Sequence, residues 1–243
     1  MLYITGDTHG ETDRFFETGF VGESRLGKGD LVIVCGDFGF VFWPEDPAFS
    51  RYFVEERRKL DILAEKPYEI LFVDGNHENF DRLDSLPVEM RYGGRVHQIR
   101  DNIFHLMRGE IYDILGYRIF TFGGALSIDR ASRHLGQTYW TEELPSAEDY
   151  RNAARNLEKW GYRVDIVITH TVPMKAMLQL GCYPDDKERE LVGFLDWILH
   201  DVSFDRWFFG HWHRELHMDK LRGLMFDVEC LPSKERESQC ETK

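Results

Sequence analysis

Short apolar runs, each cut off by glycine or a polar residue, recur along this chain. Ile70-Leu71-Phe72-Val73-Asp74 stops at Gly75, and Asn76-His77-Glu78-Asn79 follows at once. Runs of this length bounded by glycine read as buried strands. Four other stretches end similarly. Leu2-Tyr3-Ile4-Thr5-Gly6 runs into Asp7-Thr8-His9, and Leu31-Val32-Ile33-Val34-Cys35-Gly36 into Asp37. Val164-Asp165-Ile166-Val167-Ile168-Thr169 ends in His170, and Trp207-Phe208-Phe209-Gly210 delivers His211-Trp212-His213. Strand ends in open α/β sheets are where ligands collect. Five such endings in Asp, Asn or His are hard to obtain by accident.

Between these runs the pattern predicts a short helix over 11–20, with Phe15, Phe16 and Phe20 at helical spacing. Residues 48–65 read as an amphipathic helix closed by Lys66-Pro67. Residues 102–123 read as antiparallel strands at 103–107, 110–114 and 117–122, with a turn at Leu115-Gly116. The aperiodic stretch 125–144 is expected to be a loop over the site. Ser146 and Asp149 form a near capping box for a helix to about residue 159, and a second helix is expected over 187–200. A last hairpin is expected over 218–228. The expectation is one α/β domain over 1–232, a sandwich of mixed sheets, followed by a charged tail at 233–243.

Composition narrows the class. With 243 residues and 42% hydrophobic content, the chain is sized for one packed domain. No apolar run reaches the roughly 18–20 residues of a membrane span, so a cytoplasmic protein with no membrane partner is expected. The four cysteines show no CxxC pairing, which disfavours a thiolate zinc site and disulfides. A net charge of −13 argues against broad electrostatic capture of nucleic acid and favours a small substrate. It does not exclude an anionic one, because exposed charge is screened beyond a Debye length of roughly 8 Å.

The displayed groups are Asp7, His9, Asp37, Asn76, His77, His170, His211 and His213. Imidazole nitrogen with carboxylate and amide oxygen suits Mn²⁺, with Fe, Zn²⁺ or Ni²⁺ as alternatives. The ligands are too many for one four-coordinate ion and suit two ions sharing a carboxylate. Two dications ~3.5–4 Å apart repel by on the order of 20 kcal/mol at an effective dielectric of 20. Asp37 and a bridging hydroxide are the natural anions between them. Asp7, Asp37 and that hydroxide leave the centre cationic, which suits a phosphate. Attack of the bridging hydroxide on a phosphoester is then expected. His77, surplus to the ligand count, is the candidate to protonate the leaving group, and Glu78 reads as support.

The series D-x-H, G-D, G-N-H-[DE], H and G-H-x-H resembles the calcineurin-like metallophosphoesterases. Here it stands as Asp7-Thr8-His9, Gly36-Asp37, Gly75-Asn76-His77-Glu78, His170 and Gly210-His211-Trp212-His213. The resemblance implies an αββα sandwich of two mixed β-sheets with a dimetal site at the sheet rim. It implies one metal on Asp7, His9, Asp37 and His213, and another on Asp37, Asn76, His170 and His211, with His77 facing the leaving group. The second block departs from the G-D-x-x-D-R-G of the superfamily's protein phosphatases, reading Gly36-Asp37-Phe38-Gly39-Phe40-Val41-Phe42. That argues against a close likeness to those enzymes. Arg130 or Arg133 is the expected replacement for the missing phosphate-binding arginine. The implied function is hydrolysis of phosphate mono- or diesters. A nuclease or cyclic-nucleotide phosphodiesterase is the enzymatic alternative. A non-catalytic interaction module is the alternative from another class, and it would be expected to have lost ligands that this chain keeps.

Overall fold

The computed structural model describes residues 1–234, so all but the first two residues of the expected tail lie outside the described residues. Two mixed sheets stack face to face. The first has seven strands in the order β13-β1-β2-β3-β6-β5-β4. These are β1 (Leu2–Thr5), β2 (Leu31–Val34), β3 (Glu69–Phe72), β4 (Val88–Arg91), β5 (Gly94–Arg100), β6 (Ile103–Leu106) and β13 (Val228–Leu231). The second has six strands in the order β11-β12-β10-β9-β8-β7. They are β7 (Ile111–Ile114), β8 (Tyr117–Phe122), β9 (Ile166–Thr169), β10 (Arg206–Phe209), β11 (Leu216–Met218) and β12 (Leu221–Gly223).

Period-two alternation divides the apolar residues among three layers. Leu2, Ile4, Ile33 and Leu71 face inward and meet Ile119, Ile166, Ile168 and Phe208 of the other sheet. Val32, Val34, Ile70 and Phe72 face outward onto Leu60 and Leu63, which lie on α1 (Ser50–Ala64). On the far side, Phe120, Val167, Trp207 and Phe209 cover Leu157, Met177, Leu191 and Leu195. Those belong to α3 (Ala147–Lys159), α4 (Met174–Gln179) and α5 (Arg189–Asp201); α2 (Phe80–Asp84) is a single short turn after β3. The αββα sandwich expected from the motifs is the fold. At the start of α3, Ser146 and Asp149 close the capping box in both directions.

Three local expectations are corrected. Residues 11–20 form only a 3₁₀ turn over Thr12–Phe15. Phe15 and Phe20 are buried while Phe16 is exposed, so the three rings do not share one helical face. The chain folds back at Gly19, where a Cβ would lie 2.4 Å from the Asp13 carbonyl oxygen. Second, β7 and β8 are the antiparallel hairpin, but β6 pairs parallel with β3 and antiparallel with β5. The chain crosses from one sheet to the other between β6 and β7. Third, the last hairpin is β11 with β12, whereas Val228 belongs to β13 and pairs antiparallel with β1.

Candidate metal centre

In the first sheet β1, β2 and β3 are adjacent and parallel, as are β9 and β10 in the second. All five therefore present their C-terminal ends at one rim. Ligand-bearing turns of both sheets meet there.

Asp7, His9, Asp37 and His213 each offer a ligand atom within 4.8 Å of the others. His9 Nε2 and His213 Nε2 approach to 3.0 Å, and His213 Nε2 lies 3.1 Å from Asp7 Oδ2. On the other side of Asp37, His170 Nε2 is 3.2 Å from Asp37 Oδ1 and 3.2 Å from Asn76 Oδ1. The His170 Nδ1–H donates to the Cys35 carbonyl at 2.8 Å, which turns Nε2 inward. His211 packs its ring 5.0 Å from that of His170. Its backbone N–H donates to Asp7 Oδ1 at 2.9 Å.

The backbone is shaped for this convergence. His9, Asp37, His211 and His213 have φ of 46°, 48°, 66° and 48°. Side chains rarely adopt that left-handed region, and each such residue costs of order 1–3 kcal/mol unless its surroundings hold it. Gly75 matters for a different reason: a Cβ there would lie 2.2 Å from Asp37 Oδ1 and 2.7 Å from His170 Nε2. At Gly210 a Cβ would sit 2.0 Å from Asp7 Oδ1. Gly36, Gly75 and Gly210 thus leave space for the side chains of His170, Asp37 and Asp7, whereas Gly6 leaves space for the Leu224 backbone.

Electrostatics favour positive charge at this point. Burial alone would raise Asp37, yet His170, His77 and His9 hold its carboxyl well below the usual carboxylate range. Burial opposes a charge on His170, but the Asp37 and Asp7 carboxylates push it up to about 10. Burial, and then Asp37, push Glu78 up to about 8. Imidazole nitrogens converging with the buried Asp7 and Asp37 carboxylate oxygens are the donor set of a transition-metal cation. The residues fit such ions.

Around the cluster lies a cavity of about 720 Å³, bordered by Asp37, Asn76, His77, His211 and His213. The 125–144 stretch covers part of it, since Ile128, Asp129 and Arg133 also line it. Arg133 Nη2 donates to His77 Nε2 at 2.7 Å, which puts the proton of neutral His77 on Nδ1. Burial takes His77 down to about 4; Arg133 and His9 add to the fall, and Asp37 opposes it. Arg130 does not line the cavity; its charge acts on Glu143 and Glu188.

Several supporting residues carried no sequence motif. Asn76 Nδ2 donates to Ser127 Oγ at 3.3 Å, and Ser127 Oγ donates to Glu143 Oε2 at 2.6 Å. That chain leaves Asn76 Oδ1 facing the cluster. Glu78, by contrast, belongs to the G-N-H-[DE] series; it accepts from the Gly75 N–H at 2.5 Å and braces the turn. Asp74 pairs with Arg108 at 2.5 Å and with His105 at 3.1 Å. Its carbonyl accepts from Gly124 N–H at 2.9 Å, tying the end of β3 to the second sheet. His134, the one remaining histidine in the covering loop, is exposed.

Fold and site together define a two-sheet α/β protein with a histidine–carboxylate cluster at the sheet rim that could hold a metal ion. The model of the calcineurin-like phosphoesterases matches residues 2–215. The chain belongs to that family. Human lariat debranching enzyme is 29% identical over 187 residues, covering 70% of this chain and 32% of its own. The Danio rerio enzyme of that name is 31% identical, over 70% of this chain and 30% of its own. That of Schizosaccharomyces pombe is 27% identical, over 86% and 47%. The chain thus spans between about a third and a half of these relatives' lengths. A crystal structure provisionally named a 5′-nucleotidase from Staphylococcus aureus aligns at 17% identity and a TM-score of 0.48. It covers 92% of this chain and 48% of its own, a likeness too distant to argue from.

Proposed function

We propose that the protein hydrolyses small phosphate esters at a pair of divalent metal ions. The observation that carries this reading is the convergence of Asp7, His9, Asp37 and His213 within 4.8 Å, with His170 and Asn76 on the other side of the shared Asp37. In this reading Asp7, His9, Asp37 and His213 hold one ion, and Asp37, Asn76, His170 and His211 hold the other. When bound, the ions would supply polarisation of the phosphoryl oxygens and a water acidified toward neutrality. Mn²⁺ is the proposed native ion, because a mixed nitrogen–oxygen set suits it. Free thiols at Cys35, Cys182 and Cys230 suit a reducing compartment, and the cytoplasm is part of the proposal. Among the described residues no helix is long and apolar enough to cross a membrane.

The chain's own groups divide the remaining work. Arg133 faces the cavity beside His77 and supplies a fixed positive charge to a phosphoryl oxygen. An anionic ester entering there competes with His77 for the guanidinium and raises the proton affinity of the imidazole. His77 then carries the proton for the departing alkoxide. Relatives named for acting on lariats favour a diester over a monoester. Their name also supports a second reading, a nucleic-acid substrate. The net charge of −13 weighs toward a small ester.

The test is metal analysis of the purified protein together with hydrolysis of p-nitrophenyl phosphate and bis(p-nitrophenyl) phosphate with Mn²⁺ added. Turnover of the diester is expected. Bound metal without turnover of either ester would leave an interaction module in its place.

A further inference from the structure

The hydrogen-bond chain behind Asn76 has a direction, and its far end sets it. Ser127 and Glu143 are both buried. The Ser127 hydroxyl carries one proton and has three side-chain neighbours. Arg133 Nη1, 3.4 Å away, has only protons to offer, so the hydroxyl oxygen accepts there. Glu143 Oε2, 2.6 Å away, takes the hydroxyl proton. Glu143 Oε1 accepts the Ser127 backbone N–H at 3.1 Å. Burial raises this carboxyl, while the two Ser127 hydrogen bonds, then Arg130 and Arg133, oppose the rise. An ionised carboxylate has no proton to return, so Ser127 keeps only a lone pair for its third neighbour. Asn76 meets it with its NH₂ group at 3.3 Å, which leaves its carbonyl oxygen beside His170.

The two ends of an amide are nearly the same shape, and its hydrogen-bond partners decide which way it points. With its NH₂ turned toward His170, Asn76 would offer a cation no lone pair. Glu143 is itself held in place. Its carbonyl accepts from the Ala125 N–H at 3.2 Å and from Arg108 Nη2 at 3.4 Å. Arg108 is paired in turn with Asp74, two residues before Asn76.

We propose that Glu143 is a positioning residue, which acts through the Ser127 hydroxyl to lock the Asn76 amide with its oxygen toward the metal cluster. The inference rests on the dimetal reading and adds a residue of the covering loop that touches neither ion. It makes the isosteric change E143Q the damaging one. The Ser127 N–H is a fixed donor, so it keeps the new amide oxygen at the Oε1 position and leaves NH₂ at the Oε2 position. That NH₂ donates to Ser127 Oγ and frees the hydroxyl proton to point at Asn76. Asn76 Oδ1 is then drawn toward Ser127 and away from the ion it shares with Asp37, His170 and His211. S127A removes the hydroxyl, and with it any preference imposed from that side.

The test is a Mn²⁺ titration of the wild type, E143Q, S127A and the E143Q/S127A double variant. In E143Q, affinity for the ion on Asn76 should fall about 10–100-fold, the scale of losing a ligand's outer partner. The ion on Asp7, His9, Asp37 and His213 should bind as tightly as in the wild type. S127A should lose less than E143Q. The double variant should bind more tightly than E143Q although it carries one more substitution, whereas a purely structural role would make it worse. Wild-type affinity for both ions in E143Q, or a double variant no better than E143Q, would overturn the lock while leaving the dimetal site intact. NMR of the metal-free protein gives a readout independent of metal number. Nuclear Overhauser contacts should join the Asn76 amide protons to the Ser127 β-protons in the wild type, and E143Q should weaken them. Fewer than two ions in the wild type would defeat the dimetal reading, and the NMR would still decide. Absence of those contacts in the wild type, which needs no variant to fold, sinks the lock.

Discussion

Asp37 comes from the first sheet and His170 from the second, and their Oδ1 and Nε2 atoms meet 3.2 Å apart at the shared rim. Neither sheet alone brings these atoms together. The site therefore depends on the stacking of the two sheets, and the glycine at position 75 is what lets the pair approach.

Gly75→Ala tests that approach. The added Cβ would lie 2.2 Å from Asp37 Oδ1, so the carboxylate must move. The variant should keep a wild-type far-ultraviolet circular dichroism spectrum and lose metal affinity by about 10–100-fold, comparable to disrupting a ligand's support. Unchanged affinity in a titration with Mn²⁺ would show that the contact is not needed.

His77→Ala should retain its metals and lose about 10²-fold or more in kcat, the scale of a lost proton donor. The loss should be steeper for alkyl esters than for p-nitrophenyl esters, because a poor leaving group needs the proton more. An equal loss for both would remove His77 as the acid.

For Arg133→Ala, KM for the diester should rise about tenfold, with a smaller change in kcat, as expected for a lost charge-assisted contact. The pH dependence of the variant adds a second check. Arg133 helps depress His77, so the imidazole should titrate at higher pH without it. A histidine NMR titration that places His77 no higher in the variant would contradict the contact.

Much of this was legible in the sequence, for a physical reason. Strand periodicity, glycine punctuation and the polar residue that follows are all local, and the same series marks the proposed ligands and the ends of β1, β2, β3, β9 and β10. What stayed hidden was non-local. Whether the strand at 103–106 pairs with its successor or with β3 depends on where the chain crosses between sheets, and no local pattern encodes that. The return of Val228 to β1 is the same kind of event. The Asn76–Ser127–Glu143 chain joins residues 51 and 16 positions apart, and Glu188 lines the cavity from the start of a helix on the outer layer. The two arginines of the covering loop looked alike in sequence, but only Arg133 lines the cavity.

Asp74→Asn addresses stability. Burial alone would raise Asp74, but Arg108 and His105 hold it well below its ordinary range. Both partners of the Arg108 pair are buried, so removing one charge should cost about 3–5 kcal/mol in chemical denaturation. A depressed carboxylate stabilises the fold above its unfolded pKa of about 3.9, and that contribution fades only as pH falls through the lower folded value. The difference from wild type should therefore be flat between about pH 5 and 9 and shrink in stronger acid. A difference that grows with acidity would contradict the assignment.

The most direct measurement of the central claim is metal content by plasma mass spectrometry after loading with Mn²⁺ and dialysis, for the wild type and Asp37→Asn side by side. The shared-carboxylate account expects about two ions per wild-type chain, and fewer than one in the variant because both sites lose a ligand. Two tightly held ions in Asp37→Asn, or a single ion in the wild type, would contradict it.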